Sequence, residues 1–272
     1  MISLPFRRLT VVVLLVMLTV ATAACSSTSD QEKDDDTAAL TKPQGPTAQE
    51  LFLQGNQALD ARQWEEAVAL YEEVTDLDPQ RWDAHMNRGI ALTAAREHGE
   101  ATEAFAMAIE AGGQDEQILY FNLGNHYQER GMYEAAVGAY RTSMAVGGGL
   151  DYDTLLNIGA AFIFLHAYDQ ARQTIERALE LDPDDPRAYI SLGVLTHSEG
   201  HPTEALDLYD RLLADHPRLA EAHYNRGFVL LRLRRDDEAR QAFETYLEIA
   251  PQGPYVRKVE NHIATIDRRR SD

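Results

Sequence analysis

The chain has one cysteine, Cys25, among 272 residues, and its lysines are Lys33, Lys42 and Lys258 alone. A lone cysteine excludes an internal disulfide, so any fold here must stand on packing. Positive charge is scarce: 25 Lys and Arg face 44 Asp and Glu, for a net charge of −19. That balance argues against nucleic acid as a partner, because phosphates demand a basic face. A strongly acidic surface suits solubility or a basic partner. The glycine runs at 112–113 and 147–149 lack the Gly-Lys-Ser/Thr of a phosphate loop. His197 and His201 lie four apart but straddle Gly200 at a turn, so they read as an exposed pair rather than metal ligands. No Ser/His/Asp set has a motif around it. The chain therefore reads as no enzyme, with no cofactor, no metal site and no catalytic residue.

What is present begins with a processed N-terminus. Arg7 and Arg8 precede the apolar run LTVVVLLVMLTVATAA. This run is shorter than the roughly 20 residues a membrane span needs, so residues 1–24 read as an export signal. Cys25 follows TAA and precedes SSTSD, an arrangement that resembles the lipobox of bacterial lipoproteins, with Thr22 where that family prefers leucine. The resemblance implies that Cys25 is lipidated and becomes the new N-terminus. Ordinary cleavage after Ala23 and an uncleaved anchor are the alternatives. In a Gram-negative cell, Ser26 directly after the cysteine resembles the outer-membrane sorting choice, facing the periplasm. Residues 25–47 are rich in Ser, Thr and Asp, nearly free of large apolar residues and punctuated by Pro43 and Pro46. Such a segment cannot bury enough surface to order itself and reads as a tether.

A period of 34–35 residues dominates the rest. Glycines stand at Gly55, Gly89, Gly124, Gly159, Gly193 and Gly227. Twelve residues after each is an alanine: Ala67, Ala101, Ala136, Ala171, Ala205 and Ala239. Four further on comes a large apolar residue: Tyr71, Phe105, Tyr140, Ile175, Tyr209 or Phe243. Pro79, Pro183, Pro217 and Pro251 close four units, and Gly113 and Gly148 stand in the other two. Each unit holds two apolar-periodic stretches of about 12–14 residues around a polar break. Stretches such as NLGNHYQERGMYEAAVGAY resemble the tetratricopeptide repeat. That resemblance implies an all-α, right-handed α-solenoid of six helix–turn–helix units over 48–253. A capping helix and tail are expected over 254–272, with Val256, Val259, Ile263 and Ile266 on one face and Pro254 in its first turn. The repeat glycines are expected where two helices approach too closely for a side chain, with the alanines serving the same approach. The glycine-closed units are expected to end in left-handed caps, with a hinge at Gly147–Gly149 as the alternative.

Asparagine recurs two residues before the glycine, as Asn87, Asn122, Asn157 and Asn225, with Ser191 in a fifth unit. The resemblance places this position on the inner, concave face, where an amide can hydrogen-bond an extended guest. One residue earlier stand Phe52, Met86, Phe121, Leu156, Ile190 and Tyr224. With Asn125 they make a candidate protein-binding groove, an asparagine ladder beside an apolar strip. The other reading is that these are repeat residues kept for packing. The expected function is a lipid-anchored scaffold that assembles or localises an envelope complex, in the manner of pilotins or of outer-membrane assembly lipoproteins. Its partners would be envelope proteins and, through the anchor, the membrane. The rival is a self-assembling repeat protein, a homo-oligomer without a groove.

Overall fold

The computed structural model describes residues 45–271. The expected export signal, Cys25 and most of the tether lie outside these residues. The first helix opens on a capping box: the Thr47 hydroxyl accepts from the Glu50 N–H, and the Glu50 carboxylate accepts from the Thr47 N–H at 2.8 Å. From there the chain forms paired helices. Unit 1 is α1 (Ala48–Asp60) and α2 (Trp64–Leu77), and unit 2 is α3 (Trp82–Ala95) and α4 (His98–Glu110). Unit 3 is α5 (Gln117–Glu129) and α6 (Tyr133–Val146), and unit 4 is α7 (Tyr152–Phe164) and α8 (Tyr168–Leu181). Unit 5 is α9 (Pro186–Ser198) and α10 (Pro202–Asp215), and unit 6 is α11 (Ala220–Arg232) and α12 (Asp236–Ile249). A last helix, α13 (Val256–Ser271), packs on α12. Among the described residues there is no strand, and no helix is long and apolar enough to cross a membrane. This is the expected all-α solenoid of six units.

The repeat glycines show why the period exists. A Cβ added at Gly55 would lie 2.8 Å from the Tyr71 ring, and one at Gly159 would lie 2.8 Å from Ile175 Cγ1. At Gly124 and Gly227 it would overlap the rings of Tyr140 and Phe243. In every unit the first helix drops its side chain to admit the large residue sixteen positions on. The alanine four before that residue is fully buried in all six units. The close approach is thus between glycine and ring, with the alanine flush beneath it.

The turn inside each unit is left-handed at the seventh residue after the glycine. Gly131 and Gly200 hold two of these places, but Arg62, Arg96, His166 and Arg234 hold the others, with φ between 57° and 69°. Each non-glycine costs about 1–2 kcal/mol there. The glycine-closed units end as expected, with Gly112 at φ 104° and Gly148 at φ 75°. In unit 3 the Gly149 N–H donates to Met144 O and the Gly148 N–H to Ala145 O, the pairing of a Schellman cap. A Cβ at Gly147 would strike the Gln117 side chain, so this segment is a pinned helix end. Gly148→Ala has open space but the wrong φ and should cost about 1 kcal/mol. Gly149→Ala, with neither problem, should leave the urea midpoint unchanged.

One expectation needs correction. α13 starts at Val256, so Pro254 sits in the turn before the helix and not in its first turn. The apolar face is as expected, with Val259 and Ile266 buried and Val256 and Ile263 half-buried.

First helices touch the first helices of adjacent units, α1 on α3, α3 on α5, α7 on α9 and α9 on α11, whereas second helices do not pair comparably. The first helices therefore line the inside of the curve. The apolar core falls into two main parcels, from Leu51 to Ala139 and from Ala136 to Ile266, which meet in unit 3.

Candidate functional site

The asparagines of the inner face fall into different environments. Asn56, directly after the unit 1 glycine, accepts at Oδ1 from the Tyr71 hydroxyl (2.7 Å) and from Asn87 Nδ2 (3.1 Å). Unit 3 repeats the arrangement: Asn125 Oδ1 accepts from the Tyr140 hydroxyl (2.7 Å) and from Asn157 Nδ2 (3.3 Å). Each clasp joins a unit's glycine turn, its buried ring and the next unit. Asn87 is buried, and Asn157 is half-buried with its amide engaged in the clasp. In unit 5 Val194 takes the place of Asn56 and Asn125, and Asn225 is 1% exposed with Oδ1 lacking a protein partner. Asn122 differs again. It is half-buried, and its Nδ2 donates to Ile118 O one turn back in its own helix (2.9 Å) and faces Met86 Sδ at 3.8 Å.

The apolar strip divides likewise. Met86, Leu156, Ile190 and Tyr224 are buried, while Phe52 and Phe121 are half-buried. The Arg81 guanidinium lies 4.0 Å over the Phe52 ring. Two residues that the sequence reading did not single out stand more open, Leu53 at 50% exposed and Ile118 at 44%. Leu53 occupies the asparagine position of unit 1, and Ile118 lies one helical turn before Asn122. The open inner surface is thus concentrated on units 1–3. Between α3 and α5 it dips into an indentation lined by Ile90, Thr93, Phe105, Asn122, Asn125, His126 and Glu129.

Beneath that indentation His126 is fully buried. Its Nδ1 lies 2.8 Å from Thr93 Oγ1 and its Nε2 lies 3.0 Å from Thr102 Oγ1. Burial, reinforced by the charges of Arg130 and His98, lowers its pKa to about 4. The imidazole is therefore neutral near pH 7. One ring nitrogen must accept, so one of the two threonine hydroxyls turns its proton toward the ring. His126 in this way joins α5 to α3 and α4.

Joints in the second half are closed by charge instead. Arg187 on α9 pairs with Asp153 on α7 and, at 2.6 Å, with its own cap Asp185. Arg172 meets Glu199 at 2.6 Å, Arg226 meets Asp210 at 2.6 Å, and Arg240 reaches Asp267 on α13 at 3.0 Å.

The tetratricopeptide repeat family model matches residues 52–116, 121–186, 156–200 and 198–254. The chain belongs to the tetratricopeptide repeat family, whose arrays mediate protein–protein interactions. Among curated proteins it is 26% identical over 129 residues to the Protein CTR9 homolog of Arabidopsis thaliana, covering 47% of this chain and 12% of that one. It is 24% identical over 179 residues to Anaphase-promoting complex subunit 3 of Schizosaccharomyces pombe, covering 66% and 26%. The chain thus spans about a quarter or less of these relatives' length. Among solved structures, a tetratricopeptide repeat protein from Parabacteroides merdae superposes with a TM-score of 0.65 at 16% identity, covering 82% of this chain and 91% of that one. PilW, a type IV pilus biogenesis factor, gives 0.63 at 16% identity, covering 78% and 97%. PilF of Pseudomonas aeruginosa gives 0.57 at 18%, covering 79% and 96%. These likenesses are of fold.

The differing asparagine environments sharpen a test of the groove. Asn122 reaches another unit only through a long amide–sulfur contact to Met86, so Asn122→Ala should leave the unfolding free energy within about 0.5 kcal/mol of wild type. A bound extended guest should lose about 0.5–1.5 kcal/mol in the same variant. Asn157→Ala removes a clasp and should lower stability by about 1 kcal/mol. Unchanged guest affinity in Asn122→Ala would remove that amide from the groove.

Proposed function

We propose that this protein is an exported, lipid-anchored scaffold that holds another envelope protein along its inner face. The observation that carries the reading is the inner face of units 1–3, where Leu53 and Ile118 are about half exposed beside half-buried Phe121 and Asn122, while Leu156, Ile190, Ser191, Tyr224 and Asn225 further on are buried. An apolar run ending at Cys25, followed by a polar tether, supports an anchor that leaves the array free to reach a partner. PilW shares the fold and is described as a type IV pilus biogenesis factor, which supports assembly of an envelope machine as the class of role.

Two measurements test this. Cys25→Ala should move the protein from the membrane pellet to the soluble exported fraction. Retention in the pellet would mean that the apolar run is an uncleaved anchor or that the repeats themselves hold the membrane, and mass spectrometry of the mature N-terminus separates these. Affinity capture with the full chain should then retain an envelope protein that Asn122→Ala and Phe121→Ala release.

A further inference from the structure

We propose that the inner face of units 1–3 takes an extended segment of a partner protein that carries no charge where it crosses the face and has apolar side chains at alternate positions. This rests on the groove reading above and adds the chemistry of the guest. The first ground is where the charge of this half lies. The second helices α2, α4 and α6 carry nine Asp and Glu, all exposed, against one base, Arg141. The charged residues of the first helices α1, α3 and α5 are Glu50, Asp60, Asp83, Arg88 and Glu129. The acidity of the helices of units 1–3 therefore stands mainly on the outer wall, and the inner wall is close to neutral.

The second ground is the state of those few inner charges. Glu50 is held in the capping box with Thr47, Asp83 pairs with Arg81 at 3.1 Å, and Arg88 reaches Glu72 on α2 at 3.3 Å. Arg81 itself lies over the Phe52 ring and donates to Gln49 Oε1 at 2.9 Å. Asp60 and Glu129 are the last residues of their helices, seven positions after Leu53 and Asn122. Seven residues are about 10 Å of helix, roughly the distance over which physiological salt screens a charge. Residues 51–59 and 117–128, which carry the open part of the face, contain no Asp, Glu, Lys or Arg.

The third ground is what the face offers a guest. Leu53 and Ile118 are about half exposed, and Phe121 is half-buried. Asn122 donates through Nδ2 to its own helix, and its Oδ1 takes no hydrogen bond from the described residues. A guest N–H can donate to that oxygen while alternate side chains of a strand cover Leu53, Phe121 and Ile118. Two interhelix steps of about 10 Å separate α1 from α5, so roughly six residues of strand span the face. An ammonium or a carboxylate laid on these apolar groups would lose water without meeting a counter-charge, which is unfavourable for either sign. An acidic segment is also repelled by the net charge of −19. A basic one is drawn to the outer wall, away from the groove.

The test uses the full chain and fluorescent peptides of about eight residues, alternating Leu/Ser, Leu/Lys or Leu/Glu, read by anisotropy at about 0.15 M and about 0.5 M salt. Leu/Ser should bind equally well at both, and at the higher salt about fivefold or more tightly than either charged peptide. Ile118→Ser should weaken Leu/Ser about fivefold. Ile118→Asp should weaken it further and make Leu/Lys the preferred peptide. Ile118 is about half exposed, so both variants should keep the wild-type melting temperature. Glu73→Gln, an exposed acid on α2, should leave Leu/Ser unchanged. Tighter binding of Leu/Lys than of Leu/Ser at the higher salt, lost in Ile118→Ser, would leave the groove standing and overturn the uncharged guest. Leu/Ser binding that neither Ile118→Ser nor Asn122→Ala weakens would overturn the groove itself. Failure of every peptide to bind would overturn both, and a concentration-dependent mass abolished by Ile118→Ser would then identify a second copy of this chain as the occupant.

Discussion

Gly124→Leu should lower the unfolding free energy by about 3 kcal/mol or more, the severe end of overpacking. The cause is local and has no easy relief. A Cβ at position 124 would already overlap the Tyr140 ring, before the rest of a leucine is added. Tyr140 is fully buried, and its hydroxyl donates to Asn125 Oδ1 at 2.7 Å and reaches Gln128 Oε1 at 3.3 Å. Moving the ring aside would break the clasp and orphan Asn157 at the next unit. The contrast that isolates this effect is Gly138, exposed within α6 with nothing within 4 Å of an added Cβ. Gly138→Ala should stabilise by up to about 1 kcal/mol, since alanine is the better helix former and has room. Urea midpoints of the two variants should therefore move in opposite directions. A Gly124→Leu midpoint equal to wild type would show that the ring contact does not constrain the unit.

Acid should loosen the array through His126, and His126→Gln should flatten that response. The folded pKa is near 4 against an ordinary 6.5, so folding favours the unprotonated ring. Above pH 6.5 neither state takes the proton and the full stability is present. Between 6.5 and 4 the unfolded chain binds a proton that the folded chain refuses, and stability falls by about 1.4 kcal/mol per pH unit at most. The accumulated loss approaches about 3 kcal/mol by pH 4. His197 and His262, whose pKa values are also lowered by burial, and the carboxylates contribute equally to both proteins. The difference in slope therefore belongs to residue 126. Glutamine keeps a donor and an acceptor for Thr93 and Thr102. Parallel curves for wild type and His126→Gln from pH 7 to pH 4 would show that the ring takes its proton as readily folded as unfolded.

The repeat itself was legible because its rule is local and periodic. A glycine, an alanine twelve later and a large residue four beyond that recur at fixed offsets, and each offset is one contact within one unit. The candidate site was less legible because its contacts cross units. Asn87, Asn122, Asn157 and Asn225 occupy one register position, yet their environments depend on the residue after the preceding unit's glycine, which is Asn56, Ile90, Asn125 or Val194. That partner lies 31 or 32 residues upstream in the clasped cases and carries no period of its own. His126 was invisible for the same reason, since Thr93 and Thr102 come from two other helices. The left-handed turns could be read where glycine marks them, at Gly131 and Gly200. Arg62, Arg96, His166 and Arg234 conceal the same geometry behind residues that ordinarily avoid it.

The chemistry of the joints differs along the array, and that makes its two ends sensitive to different properties of the medium. The joints of units 1 to 4 are tied chiefly by amides, hydroxyls and a neutral imidazole, which ionic strength hardly touches. Those from unit 4 to α13 are tied by ion pairs that are partly exposed, each contributing about 0–1 kcal/mol and each weakened by salt. A rise in salinity would therefore slacken the far end while leaving units 1 to 4 stiff, whereas acidification would slacken the second-to-third joint through His126. An array built this way yields at a place chosen by its surroundings, the last units in salt and the second-to-third joint in acid.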